Sequence, residues 1–295
     1  MAVDPKDTRH IFVGTKASGM FVSDNSGDAW RKIVYPPTKN YGLVVDANDS
    51  KHLFATGEWQ GRGKIYQSTD GGDNWNEVYT EPANGTVLVA LAQNPFNSQM
   101  IYAGTSTGAI IRTTDGGVTW QNSATLSSAM NGHIVRSIVF DTKQINTMYI
   151  LVDGKGVYVS DGDKIITDPS ASISIGSVVG KTVVSSSGAV SMALDPNRSG
   201  TAYIGSIKGV YRSTDFGKTW EALNIIESPK KAPTSAIAIN PKDSNEIAYA
   251  SALTLYKSLD GGVHWSTHPI TSDKTVSLLQ YDAYDPAILY VGFKQ

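Results

Sequence analysis

The chain has 295 residues, no cysteine, and 25 basic against 27 acidic side chains, a formal charge of −2. The missing cysteines exclude disulfides, thiolate metal sites and cysteine nucleophiles, and near-neutral charge without a Lys/Arg run gives no footprint for nucleic-acid phosphates. The longest apolar stretches, such as 86–92, fall far short of the roughly 20 residues a membrane-spanning helix requires, so no membrane insertion is expected.

In chain order the same element recurs. A polar turn at Asp4-Pro5 leads into an apolar strand, Ile11-Phe12-Val13, and then into the octapeptide Ser23-Asp24-Asn25-Ser26-Gly27-Asp28-Ala29-Trp30. A second strand, Leu53-Phe54-Ala55, precedes Ser68 to Trp75, and a third, Ile101-Tyr102-Ala103 behind Pro95, precedes Thr113 to Trp120. Met148-Tyr149-Ile150 follows, then Val157-Tyr158-Val159-Ser160-Asp161-Gly162-Asp163, where the octapeptide is cut short and its Trp is lost. Ala202-Tyr203-Ile204 (after Pro196) and Ile247-Ala248-Tyr249 (after Pro241) precede the copies Ser213 to Trp220 and Ser258 to Trp265. The last strand, Leu289-Tyr290-Val291 after Pro286, has no octapeptide behind it.

The octapeptide tryptophans at 30, 75, 120, 220 and 265 are spaced by 45, 45, 100 and 45 residues. Alternating β-branched residues and Gly-rich turns make each period four short strands, exemplified by 87–92, 101–103, 109–113 and an outer strand from Trp120. No stretch carries helical periodicity. Four strands in a 40–50-residue repeat is the signature of a propeller blade.

The expected fold is therefore an all-β propeller in a single domain spanning 1–295. It has six blades, one of them degenerate at about 134–167, and a C-terminal half blade at 275–293. The expected arrangement is a seven-bladed design with an incomplete closing blade; a six-bladed ring with an extra hairpin is the alternative. The start at Met1-Ala2-Val3 reads as the end of a repeat's first strand, with any signal segment absent from this chain.

The shared pattern [ST]-x-[DN]-x-G-x-x-W assigns the octapeptide to turn chemistry. Gly permits positive φ, short polar side chains bond the turn backbone, and Trp packs as a wedge. The residues concerned are Ser23, Asn25, Gly27 and Trp30; Ser68, Asp70, Gly72 and Trp75; Thr113, Asp115, Gly117 and Trp120; Ser213, Asp215, Gly217 and Trp220; and Ser258, Asp260, Gly262 and Trp265.

These residues resemble the Asp-box, or BNR, repeat, whose consensus is Ser-x-Asp-x-Gly-x-Thr-Trp. Asn25 departs from the consensus Asp, and only Thr119 and Thr219 keep the consensus Thr. The resemblance implies a propeller, and an extracytoplasmic or secreted setting like that of most relatives. It does not choose an activity, because sialidases, xyloglucan-cleaving glycoside hydrolases, sortilin-type receptors and a photosystem II assembly factor share the element. It also implies that the boxes lie on the rim opposite the ligand face, so their carboxylates are not expected in a catalytic site.

The sequence carries few marks of catalytic chemistry. A sialidase would need an arginine triad, and only seven arginines occur, with Arg112 and Arg212 at the same repeat position as Gln67 and Lys257. Glycoside hydrolysis needs two facing carboxylates, which sequence alone cannot pair, so catalytic residues stay unassigned. Gly104-Thr105-Ser106-Thr107-Gly108 lies in a strand-to-strand turn rather than a nucleophile elbow, and Gly217-Lys218-Thr219 lacks the rest of a phosphate-binding loop. His264 with His268 and Asp161-Gly162-Asp163 supply too few ligands for a metal, and no cofactor is expected.

The candidate ligand-binding residues lie where the repeats diverge, on the side opposite the boxes. The clearest are Glu58, Trp59, Gln60 and Arg62, which set the one Trp outside the boxes beside an acid, an amide and a base. An exposed aromatic with polar neighbours suits sugar stacking or a protein contact, whereas Trp59 packed on an adjacent blade would be structural. Tyr35, Tyr41, His133, and Lys230 with Lys231 are further candidates, and the 168–187 connector is a possible docking loop. The expected function is a non-enzymatic binding or scaffold propeller, monomeric or part of a larger assembly, that recognises a protein or a carbohydrate. A carbohydrate-active glycoside hydrolase and an assembly factor similar to the photosystem II protein are the alternatives.

Overall fold

The computed structural model describes residues 1–37, 39–169, 185–226 and 233–294. Lys230, Lys231 and most of the 168–187 connector lie outside the described residues.

The strands follow the repeat. The first sheet is β1 (Ala2–Val3), β2 (Ile11–Gly14), β3 (Met20–Ser23) and β4 (Arg31–Ile33). The second is β5 (Lys39–Val45), β6 (Leu53–Trp59), β7 (Arg62–Ser68) and β8 (Asn76–Thr80). The third is β9 (Leu88–Asn94), β10 (Asn97–Thr105), β11 (Ile110–Thr113) and β12 (Gln121–Asn122), followed by α1 (Ala124–Met130). The fourth is β13 (Val135–Phe140), β14 (Thr147–Val152), β15 (Gly156–Asp161) and β16 (Lys164–Thr167). The fifth is β17 (Ala189–Leu194), β18 (Ala202–Ser206), β19 (Gly209–Ser213) and β20 (Glu221–Ala222). The sixth is β21 (Thr234–Asn240), β22 (Asp243–Ser251), β23 (Thr254–Ser258) and β24 (Ser266–Pro269). The last sheet has two strands, β25 (Thr275–Tyr281) and β26 (Leu289–Lys294).

The fold is thus an all-β propeller of four-stranded blades, six complete, with a two-stranded seventh sheet where the half blade was expected. The described pairings are antiparallel between strands adjacent in sequence. The chain divides into two compact units, Met1–Phe140 and Asp141–Gln295.

One expectation is corrected. Helix does occur, as α1 and a short 3-10 turn at Ser186–Gly188. With seven residues, α1 is too short to show periodicity; Leu126 and Met130, four apart, are its buried pair. The degenerate fourth repeat still forms a full blade, because Asp161 pairs Lys164 across Gly162 and Asp163, and this two-residue turn replaces the box.

The second strand of each blade carries the core. Phe12, Leu53, Phe54, Ile101, Met148, Tyr149, Ala202, Tyr203 and Ile247 are all inaccessible to solvent. Each box tryptophan packs on the preceding blade within its unit. Trp75 joins Phe12 and meets Tyr35 edge-on at 5.3 Å, Trp120 meets Phe54 at 6.3 Å, and Trp220 joins the cluster of Tyr149 and Val159. Trp30 is the exception: it breaks the expectation of a packed wedge and is 44% exposed.

The polar turn after each first strand holds adjacent blades together. Buried Asp4 accepts from Ser50 Oγ (2.7 Å), Asp46 from Gln93 Nε2 (2.9 Å), and Asp195 from Ser244 Oγ (2.7 Å). Asp141 accepts from Ser199 Oγ and from Gly200 N, both at 3.0 Å. Each carboxylate also caps its own turn, as Asp141 does for Lys143 N and Gln144 N. Asp141 is satisfied at both oxygens by these donors, whereas Asp195 takes all of its donors on Oδ1.

Candidate functional site

The boxes settle first, because their geometry is the same in all five copies. The leading Ser or Thr hydroxyl donates to the Asp or Asn two residues on and accepts from the Gly N–H four residues on: Ser68 Oγ lies 2.8 Å from Asp70 Oδ1 and 2.9 Å from Gly72 N. Asp115 in turn accepts from Thr119 N (2.9 Å) and Thr119 Oγ1 (2.5 Å). Asn74 Nδ2 and His264 Nδ1 stand in for that Thr hydroxyl, at 2.8 and 2.6 Å from the box carboxylate. Asn25 reproduces the Asp contact through Oδ1, which accepts from Ala29 N at 2.8 Å. These bonds, led by the Asn74 backbone N–H, bring Asp70 down to about 2, and the Thr119 hydroxyl does the same for Asp115. The box carboxylates are turn caps. Gly117, at φ +95°, lies so close to Phe54 that a Cβ would come within 2.7 Å of the ring.

The site at Glu58 to Arg62 is built by the β6–β7 hairpin. Trp59 pairs with Arg62, and Gln60 (φ 52°) and Gly61 (φ 77°) form the two-residue turn between them. Positive φ at both positions is the hairpin geometry that matches strand twist. The tip carries Trp59, 41% exposed.

The charged residues on either side of Trp59 and its turn, Glu58 and Arg62, are both hydrogen-bonded. Lys39 Nζ, on the adjoining strand β5, donates to Glu58 Oε2 at 2.9 Å, and the Tyr41 hydroxyl donates to the same oxygen at 3.3 Å. The Lys39 ammonium keeps the Glu58 carboxyl below its ordinary range, while partial burial pushes the Tyr41 phenol up. Arg62 Nε donates to Asn84 Oδ1 at 2.7 Å, and Gly85 N donates to Gly61 O at 2.8 Å. The 81–87 connector is thereby stitched to the hairpin tip, and from there to the next blade through Ser106 N to Val87 O (2.8 Å). Gly132 N to Thr107 O (2.8 Å) continues the line to the turn that bears His133.

The structure therefore pairs Trp59 with Arg62 on one face of the hairpin and gathers Glu58, Lys39 and Tyr41 on the other, because consecutive strand residues point to opposite faces. His133 reaches the same row of connectors one blade away. Tyr35 is a correction: it is 8% exposed and packs edge-on against Tyr66 and Trp75, both at 5.3 Å. It lies in the core because its connector turns inward before Pro36-Pro37. Lys39 and Asn84, which orient the site, carried no sequence signal beyond an Asn-Gly turn at 84–85.

Elsewhere, a cleft of about 400 Å³ lies along the fifth and sixth blades, lined by Arg198, Arg212, Glu221, Asn224, Asn245 and Asp260. Arg212 is locked onto Glu221 through Nε (2.9 Å) and Nη2 (2.5 Å), and Arg198 Nη2 reaches Asn245 at 3.3 Å. His268 turns to Ser266 (3.2 Å) while His264 stays on Asp260. Among the described residues, no group of three or more His, Asp or Glu side chains is placed to hold a metal ion, and no helix is long and apolar enough to cross a membrane.

Residues 63–168 match the Sortilin-Vps10 family (sortilin, neurotensin receptor 3), and 211–222 match the BNR/Asp-box repeat. A search of the curated proteins finds no match. Among solved structures, a GH74 xyloglucanase from Xanthomonas campestris is 17% identical with a TM-score of 0.77, covering 98% of this chain and 49% of that one. The GH74 enzyme of Niastella koreensis is 18% identical (TM-score 0.70; 98% and 50%). YCF48 from Cyanidioschyzon merolae is 15% identical (TM-score 0.70; 98% and 90%), and YCF48 bound to D1 peptide is 16% identical (TM-score 0.68; 97% and 86%). The chain spans about half the length of the GH74 enzymes it matches. At these identities the likeness establishes the Asp-box propeller fold.

Proposed function

We propose that the protein is a non-catalytic binding propeller whose β6–β7 hairpin tip receives a sugar ring of a glycan chain. The observation that carries this reading is Trp59, 41% exposed at the end of β6 beside a two-residue turn and paired across the hairpin with Arg62, which Asn84 holds. An aromatic face covers the apolar side of a sugar ring, and Arg62, directly across from Trp59 on the same face, offers donors to its hydroxyls. Because Asn84 holds Arg62 in place, little side-chain freedom is lost on binding.

Hydrolysis at this tip is disfavoured on chemical grounds. A glycosidase acid must keep its proton near neutral pH, and Lys39 shifts Glu58 the other way. A second reading, recognition of a polypeptide, draws on the fold relative whose structure carries a bound peptide.

The test is a glycan array with parallel hydrolysis assays, on the wild type and Trp59→Ala. Binding that the substitution removes, with no turnover, supports the reading. Turnover, or binding indifferent to Trp59, overturns it, and silence on every glycan transfers the site to the polypeptide reading.

A further inference from the structure

The cleft along the fifth and sixth blades is built from residues of the second compact unit alone. One wall is β20 with its continuation Leu223-Asn224, the other is the sixth box at 260–263, and Arg198 and Asn245 complete the lining. Its volume of about 400 Å³ is that of a small-ligand pocket. The walls are tied to one another. Trp265 Nε1 donates to Asn224 O at 2.9 Å, Gly261 N to Asn245 O at 2.9 Å, and Arg198 Nη2 to Asn245 Oδ1 at 3.3 Å. Leu223 packs on Gly262, where an added Cβ would come within 3.0 Å of it. Little ordering of the walls is therefore needed when a ligand enters.

Every charge in the lining is balanced. Arg212 places Nε and Nη2 on Glu221 Oε1, at 2.9 and 2.5 Å. Asp260 is taken up by its own box: Oδ1 accepts from Val263 N and His264 N, and Oδ2 meets His264 Nδ1 at 2.6 Å. Arg198 stands 4.0 Å from the buried carboxylate of Asp195, whose Oδ2 has no hydrogen bond of its own. An ionic ligand would find no spare countercharge here to offset its desolvation.

What the lining does offer is neutral hydrogen bonding. Among the described residues Arg198 commits only Nη2 to a hydrogen bond, and the Asn224 amide and Asn245 Nδ2 make none. These groups share the cleft with two apolar side chains, Leu223 and the 61% exposed Val263. Several donors, an amide acceptor and an apolar surface without net charge match a sugar ring, which presents hydroxyls around a face of C–H groups.

We propose that this cleft binds one neutral sugar residue, with the Arg198 guanidinium and the Asn224 and Asn245 amides on its hydroxyls and Leu223 and Val263 against its C–H face. Asp260 stays a turn cap, and the site is made by its neighbours. The ligand class follows from the cleft's own lining, so the inference does not rest on the Trp59 reading.

The experiment is an NMR titration of the full chain with the methyl glycosides of glucose, galactose, mannose and xylose, and with glucuronate as the charged comparison. The side-chain amides of Asn224 and Asn245 and the Arg198 Nε–H report the cleft, while the Trp59 indole N–H reports the hairpin tip, so the two sites succeed or fail separately. The expected result is a saturable shift at the cleft reporters with at least one methyl glycoside, with a Kd in the millimolar range and weaker binding of glucuronate. Asn224→Ala should weaken that binding about tenfold, and so should Ala222→Trp, which fills the cleft from an exposed lining position without removing a polar group. A thermal melt checks that each variant folds. The proposal is overturned if no methyl glycoside gives a saturable shift at the cleft reporters, if glucuronate binds as tightly as the best of them, or if either folded variant retains wild-type affinity. Shifts confined to the Trp59 indole would support the hairpin site and overturn this one.

Discussion

Lys39 Nζ and Glu58 Oε2 lie 2.9 Å apart across adjacent strands, and this contact, rather than any feature of the loop sequence, holds the acid beside Trp59. Its consequence is electrostatic. Glu58 has a lowered folded-state pKa, so its charged form is favoured by folding. Any stability it adds is present above the ordinary glutamate value of about 4.3 and lost as pH falls through the lowered one. Carboxyl NMR should place the Glu58 midpoint below that value, and Lys39→Met should move it back up. A midpoint at or above the ordinary value would remove the case against Glu58 as a general acid.

Trp59→Ala is expected to leave the fold intact, since the side chain stands at a hairpin tip outside the core. If Trp59 is the anchor of a ligand site, the loss should be at least about 2 kcal/mol, or roughly 30-fold in Kd. Calorimetric titration with the best glycan from the array reads the affinity, and a thermal melt reads the fold. Gln60→Val should act on the tip itself, because a β-branched residue is strained at φ 52°.

Ser213→Ala tests the box as a turn cap. The hydroxyl is 1% exposed, donates to Asp215 at 2.8 Å and accepts from Gly217 N at 2.9 Å. Its removal leaves a buried N–H without an acceptor, which costs about 1–3 kcal/mol. The melting temperature should fall by roughly 2–4 °C per kcal/mol, with ligand binding at Trp59 unchanged; a loss of binding without a loss of stability would contradict the structural role.

Acid should act on the same elements. Asp70 and Asp115 sit at about 2 in the folded protein, against about 3.9 unfolded. A lowered folded value means their contribution is complete above the unfolded value and disappears as pH falls toward 2. Carboxyl titration curves with both midpoints near 3.9 would show that the box bonds do not persist in solution.

Asp141→Asn probes the tie between the fourth and fifth blades. Oδ1 caps its own turn, and Oδ2 accepts from Ser199 Oγ and Gly200 N. An amide cannot serve both sets of donors, so the substitution should cost about 1–3 kcal/mol. Chemical denaturation should show this as a lower midpoint, and an unchanged midpoint would mean the tie is dispensable.

The repeat itself was determined by the sequence. A 45-residue spacing of Trp and a Ser/Thr-x-Asp/Asn-x-Gly turn leave the backbone one way to satisfy its polar groups, because every box bond is made within a few residues of its partner. That locality is why the five boxes, the fourth blade without its Trp and the two strands at 275–293 could all be read in order. The binding tip was half legible. An unmatched Trp between Glu58 and Arg62 announced it, yet Lys39 and Asn84, 19 and 22 residues from the groups they hold, are partners only once strands and connectors pair in space. Tyr35 shows the converse: its place beside Pro36-Pro37 suggested a surface connector, and packing against Tyr66 and Trp75 buried it. Exposure of Trp30 was likewise decided by tertiary structure, since burial depends on what the neighbouring element supplies, and the pattern along one strand carries no record of its neighbour.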